Sequence, residues 1–173
     1  MKNLARHFRY TWPLHFLLLL TNWLPDNVIF LKLRGWLISP FLGSCAGKLM
    51  VGRNVSLQNS EKIHIGERVY LGYGSCFLAT AKIHIGNHVH IAPYCVIVSA
   101  DHVRINDSFA NKELKSAPVH IMDNSWLGAH VVVTAGSFIA PGSCVAAGAV
   151  VCESFEEAAL LGGVPAKIIR FYD

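Results

Sequence analysis

A six-residue beat constrains this chain more than any other feature. Apolar residues stand at Ile65, Leu71 and Phe77, at Ile85, Ile91 and Ile97, and at Ile121, Leu127, Val133, Ile139, Val145 and Val151, with a step of six inside each group. Four positions after most of them comes a small or β-branched residue: Val69, Ser75, Ala81, Val89, Cys95, Ser125, Val131, Ser137, Ser143 and Ala149. A helix repeats at about 3.6 residues and an ordinary strand at about two, so neither produces this spacing. A coil of stacked hexapeptides does.

A slower repeat runs beneath the beat. Lys62-Ile63-His64-Ile65-Gly66 returns twenty residues later as Lys82-Ile83-His84-Ile85-Gly86, and Val119-His120-Ile121 is a third, partial copy. Three hexads plus two residues make a turn of about twenty residues, which cannot bury its inward face alone, so turns must stack. Roughly five such turns fit between Cys45 and Phe155. The expected class is all-β: a parallel β-helix with an N-terminal helical segment and a short C-terminal tail. His64, His84 and His120 share one phase of the repeat and should stack as a ladder on successive turns.

The chain of 173 residues is 53% hydrophobic, and its mean hydropathy is +0.39. Inward residues at every sixth position do not account for that much apolar side chain. The excess points to subunit interfaces, a membrane surface, or both. The five cysteines form no CxxC pair, and Cys95 falls on the small-residue beat, which suits core filling. With no small-residue cleavage site after the N-terminal apolar run, a cytoplasmic location is expected, with the inner face of the membrane as a peripheral address. A net charge of +4 is too weak and dispersed for a nucleic-acid partner.

Three regions are expected: an apolar helical cap over 1–48, the coil over 49–155 and a tail over 156–173. In the cap, Leu14 to Leu24 and Val28 to Leu42 both fall short of the about 20 uncharged apolar residues that span a bilayer. Pro13, Pro25 and Pro40 punctuate them as two short helices. Trp12, Trp23 and Trp36 beside basic residues leave two roles open: covering the end of the coil, or lying at a membrane interface. The beat stops at His102 and resumes near Val119. The polar excursion 103–118, with Asn106, Asp107, Asn111, Lys112, Glu113 and Lys115, is long enough to be functional.

Taken together, the hexads, the excursion after Asp101-His102, the segment Asp123-Asn124-Ser125-Trp126-Leu127-Gly128-Ala129-His130 and the ending Gly163-Val164-Pro165-Ala166-Lys167-Ile168-Ile169-Arg170 resemble the hexapeptide-repeat O-acetyltransferases. The resemblance covers roughly residues 50 to 171 and is nearest to the galactoside/maltose acetyltransferases and their polysaccharide-modifying relatives. It implies a left-handed coil, against the usual crossover hand, a homotrimer with active sites between subunits, acetyl-CoA as co-substrate, a glycan hydroxyl as acceptor and no metal.

The resemblance makes His102 the general base. An imidazole titrates near neutrality and can take the proton of a sugar hydroxyl as it attacks a thioester. The resemblance also makes the Ala129 amide the oxyanion donor, puts Trp126 in the cleft and gives Ala147 the passage of the pantetheine arm. Lys167 and Arg170 would meet the nucleotide phosphates. Four positions depart from the family pattern. Cys152-Glu153 stands where many relatives have Thr-Lys, and Gly72 and Thr80 stand where galactoside and maltose enzymes place an asparagine and an aspartate. Cys152-Glu153 replaces one phosphate contact to coenzyme A with an acid, whereas Gly72 and Thr80 point to a different or larger acceptor, with Tyr70 and Tyr73 near enough to stack on a sugar ring. Two other readings stay open: a γ-type zinc carbonic anhydrase, for which His84, His88 and His90 are the tightest histidine cluster, and a non-catalytic β-helix scaffold. His130 directly follows the oxyanion segment.

Overall fold

The structure, a computed structural model, describes residues 2–109 and 112–172. Asn111 of the excursion lies outside them. The beat becomes a three-sided parallel solenoid. Its first face stacks six strands: Ser44–Gly47, Ile63–Glu67, Ile83–Ile85, Val119–Ile121, Phe138–Ile139 and Ser154–Phe155. The second stacks Met50–Val51, Tyr70–Leu71, His90–Ile91, Trp126–Leu127, Cys144–Val145 and Ala159–Gly162, and Lys167–Phe171 joins its far edge antiparallel. The third stacks Ser56–Gln58, Cys76–Leu78, Val96–Val98, Val132–Val133 and Val150–Val151. Five full turns separate Cys45 from Phe155, and Ser154 opens a sixth.

Every apolar residue of the six-step series is buried, and so are its small companions except Ala81. The turn through Ala81 carries the two extra residues, and Ala79 fills the inward place instead. Cys95 is core, its Sγ 3.2 Å from the Gly128 carbonyl, and burial pushes its thiol pKa up to about 11. The corners force left-handed backbone on non-glycine residues, among them Tyr94 (φ 62°) and His130 (φ 59°). Their rings stack 5.1 Å apart, a contact that offsets the strain.

The histidine ladder forms on the first face. His64 and His84 stack at 4.9 Å, and His84 and His120 at 4.8 Å, with rings within 12° of parallel. Burial is the main force holding the His64 and His84 imidazoles below their ordinary pKa of 6.5; neighbouring histidine and Lys82 charge adds to it. The unfolded chain therefore binds more protons than the folded one as pH falls through that range. Stability from the ladder is complete above pH 6.5 and declines below it. A lower Tm is expected at about pH 5 than at about pH 7.5, with a smaller drop in a His84→Gln variant, readable by thermal melts across pH.

Residues 2–42 cover the open end of the coil. A continuous helical stretch runs through Lys2–Arg6 (α1), a wider π turn at His7–Thr11 and Trp12–Thr21 (α2). Pro13 thus sits inside a helix instead of marking its start. The proline ring would press on the carbonyl four residues back and offers no N–H, and the π turn just before it relieves both. Asn27 caps the next helix, Val28–Ile38 (α3), by accepting from the Phe30 N–H at 3.1 Å. Leu14, Leu18, Ile38 and Leu42 join Leu49, Val51, Val55 and Leu57 in the core. α3 rests on the coil almost backbone to backbone: a Cβ on Gly35 would stand 1.9 Å from the Leu49 carbonyl oxygen.

Arg34 locks cap to coil. Its side chain is fully buried. Its guanidinium donates to the carbonyls of Thr21, Leu24 and Val51 at 3.3, 2.7 and 2.9 Å, and to Asp26 Oδ1 at 2.8 Å. Those groups come from the end of α2, the turn after it and the first strand of the second face. The sequence marks Arg34 only as a charge in an apolar run.

Candidate active site

The excursion is a hairpin arm. Ala100–His102 pairs antiparallel with Leu114–Ser116, in the register Asp101 to Lys115 and His102 to Leu114. At its near tip Ile105 and Ser108 exchange backbone hydrogen bonds of 2.9 and 3.0 Å around Asn106 and Asp107. Both turn residues have positive φ, 47° and 60°, which the primed hairpin turns require and Asn and Asp tolerate. Arg104 pairs with Asp107 at 2.8 Å. The coil thus releases the chain at Ala100 into a short ladder that holds His102 at a fixed register, exposed to solvent.

The other predicted site residues gather on the second face and its corner with the third. Trp126 stands outward, exposed, between His90 and Cys144 in register, so it does not fill the coil. Ala129 and Ala147 occupy the same corner one turn apart, with the Gly148 N–H donating to the Ala129 carbonyl at 2.9 Å. The coil is narrow there: a Cβ on Gly128 would meet the Ala147 nitrogen at 2.7 Å. Arg170 lies in register with Leu160, which pairs Cys144, which pairs Trp126. Three strand spacings put Trp126 and Arg170 about 14 Å apart along one face. That line of outward positions ends in the strand that carries the exposed Lys167 and Arg170.

Lys167 is not a free cation. Its Nζ lies 2.6 Å from Glu153 Oε1, and that hydrogen bond and charge raise its pKa. Glu153, which departs from the family pattern, therefore occupies the lysine that the resemblance assigns to a phosphate. Gly72 is closed as well: a Cβ there would meet Ala92 C at 2.5 Å and Pro93 N at 2.6 Å, so an asparagine does not fit this backbone. Tyr73 stacks edge-on with Tyr94 at 5.3 Å beneath Arg53, and Tyr70 packs toward His90. His130 stacks on Tyr94. Of the histidines weighed for zinc, His84 is in the ladder, and no three His, Cys, Asp or Glu groups converge on a metal-sized site among the described residues.

His102 and the Trp126 track do not meet within one chain. His102 leaves the coil after the third face, whereas Ala129 and Ala147 turn the corner before it. The width of the third face separates them. One chain carries His102 at one edge and the Trp126 line at another.

A solenoid of six-residue repeats with a histidine-bearing arm and a basic-ended track defines a class, and comparison with known proteins agrees. A Saccharomyces cerevisiae protein named as an acetyltransferase is 33% identical over 134 residues, 77% of this chain and 68% of that relative. Escherichia coli galactoside O-acetyltransferase is 31% identical over 110 residues, 64% of this chain and 54% of its own length. The chain thus spans about half to two thirds of the curated relatives it matches. Among solved structures, a Vibrio cholerae hexapeptide-repeat acetyltransferase complexed with acetyl coenzyme A matches with a TM-score of 0.80 and 26% identity, over 93% of this chain and 86% of that one. A Clostridium difficile maltose O-acetyltransferase matches at 0.79 and 26%, over 98% and 89%. No family model matches the chain. The chain belongs to the hexapeptide-repeat acetyltransferases, and its coil takes their left-handed β-helix.

Proposed function

We propose that the protein transfers an acetyl group from acetyl-CoA to a hydroxyl of a sugar, polysaccharide or glycan precursor, as a homotrimer whose sites lie between subunits. The observation that carries this reading is His102, exposed on an arm that leaves the coil at the break in the hexads. The imidazole takes the acceptor proton as the hydroxyl oxygen attacks the thioester carbonyl. The backbone N–H of Ala129 meets the oxygen that becomes negative. When the C–S bond breaks, the imidazolium returns its proton to the coenzyme thiolate. The hydroxyl attacks the thioester directly, so no covalent enzyme intermediate is involved.

One feature favours an assembly. His102 and the Trp126 track sit at different edges of one chain, so a second chain is needed to bring a base to a donor. The names of similar proteins, galactoside and maltose acetyltransferases, support a sugar acceptor. The closed Gly72 corner supports one that differs from theirs. The test is acceptor-dependent release of free coenzyme A across a panel of glycans, with the molecular mass measured by light scattering. A chain that neither binds acetyl-CoA nor releases coenzyme A with any glycan overturns the reading.

The pairing of Lys167 with Glu153 has its own consequence. Glu153→Lys frees Lys167 and turns an acid beside the phosphate track into a second cation. Its expected effect is a several-fold lower KM for acetyl-CoA with kcat little changed, measured by steady-state kinetics.

A further inference from the structure

We propose that the outward side of the N-terminal helices is a docking surface for an anionic lipid bilayer. The helical stretch through α2 has two apolar sides. Leu14 and Leu18 point into the core. Leu4, Phe8, Trp12, Phe16 and Leu20 recur at every fourth position and are all exposed. That spacing sets them in one row along the helix, and the Phe8 and Trp12 rings touch at 4.8 Å between centroids. Trp23 is 80% exposed just past the end of α2, and on α3 Ile29 and Trp36 are 75% and 71% exposed. Single exposed apolar residues are ordinary, but rows of large ones on adjacent helices are not.

Charge chooses the occupant. Residues 1–48 carry six Lys or Arg and one acid, Asp26. Arg6 and Lys48 are paired with Glu61 and Glu67 of the coil at 3.0 and 2.7 Å, and Arg34 is buried. That leaves Arg9 and Lys32 to face outward among the described side chains. Asp26 is already bound to Arg34 at 2.8 Å and Arg53 at 3.5 Å. Arg9 borders the α2 row, and Lys32 lies four residues from both Val28 and Trp36 on α3; both cations are exposed. A second copy docking through the same patch would set cation against cation with no carboxylate between them. A layer of anionic headgroups answers that charge, and the tryptophans suit the boundary between headgroup and acyl chain. Among the described residues no helix is long and apolar enough to cross a membrane. The helices therefore lie on the surface with the coil standing away from it.

The proposal stands apart from the acetyl-transfer reading, and one experiment separates them. The full chain is floated with vesicles of phosphatidylcholine alone or with about 30% phosphatidylglycerol. Co-flotation with the anionic vesicles only, weakened by salt, is expected. Trp23→Ser with Trp36→Ser should lower the bound fraction about tenfold, and Arg9→Glu with Lys32→Glu should abolish the preference for anionic lipid. Circular dichroism and light scattering verify that each variant keeps its fold and mass. Absence of flotation by the native chain overturns the proposal, whatever its transferase activity. So does loss of oligomeric mass in the tryptophan variant together with unchanged lipid binding, which assigns the face to another copy of the chain. His102→Ala should float like the native protein.

Discussion

Replacing His102 with alanine is expected to lower kcat by about 100- to 10,000-fold, the range a positioned general base contributes. The KM for acetyl-CoA should change little, because in the proposed site the contacts that hold the donor come from the Trp126 line and the imidazole acts only on the acceptor proton. Folding should be untouched too: the side chain is exposed, and the backbone ladder to Leu114 survives the change. The measurement is acceptor-dependent coenzyme A release over a pH series, with light scattering on the same samples. Native-like turnover by a correctly assembled variant removes His102 as the base. A fall in kcat that leaves the pH profile unchanged makes it a positioning residue instead.

Arg34→Met should produce the largest stability loss. Methionine keeps much of the volume but none of the donors. The Val51 carbonyl would then face the interior without its partner, the Thr21 and Leu24 carbonyls would lose a donor, and the Asp26 carboxylate would keep only Arg53. Breaking a buried charge network from one side costs about 3–5 kcal/mol. In a chain of this size that corresponds to a Tm lower by roughly 10 °C. The change should act through the cap, exposing the end of the coil. Thermal unfolding at fixed protein concentration measures it, and a Tm within about 2 °C of native overturns the role assigned to Arg34.

The legible part of this molecule is its periodicity. Ile65, Leu71 and Phe77 announce three successive inward positions, and His64, His84 and His120 announce a ladder, because parallel stacking turns equal sequence phase into spatial contact. The break after His102 was legible for the same reason. Its form as a hairpin arm was available in Asn106-Asp107, a pair suited to positive φ, but a lone turn signal inside a polar segment carries little weight without the ladder beside it. The proline rule failed at Pro13, where a π turn absorbs the ring. The departures at Gly72 and Glu153 were visible as residue types, whereas their meaning depended on neighbours twenty and fourteen residues away.

The amino-acid sequence by itself determined the coil, its turn length and the place where it opens, since these follow from a local repeat that each turn imposes on the next. Only the tertiary structure decided what is buried with what across elements. It put Arg34 between two helices and the coil, gave Lys167 to Glu153, closed the Gly72 corner against Ala92 and Pro93, and set His102 and Trp126 at different edges. Those relations join residues with no common phase, so no periodicity encodes them. They arise from packing and charge in three dimensions.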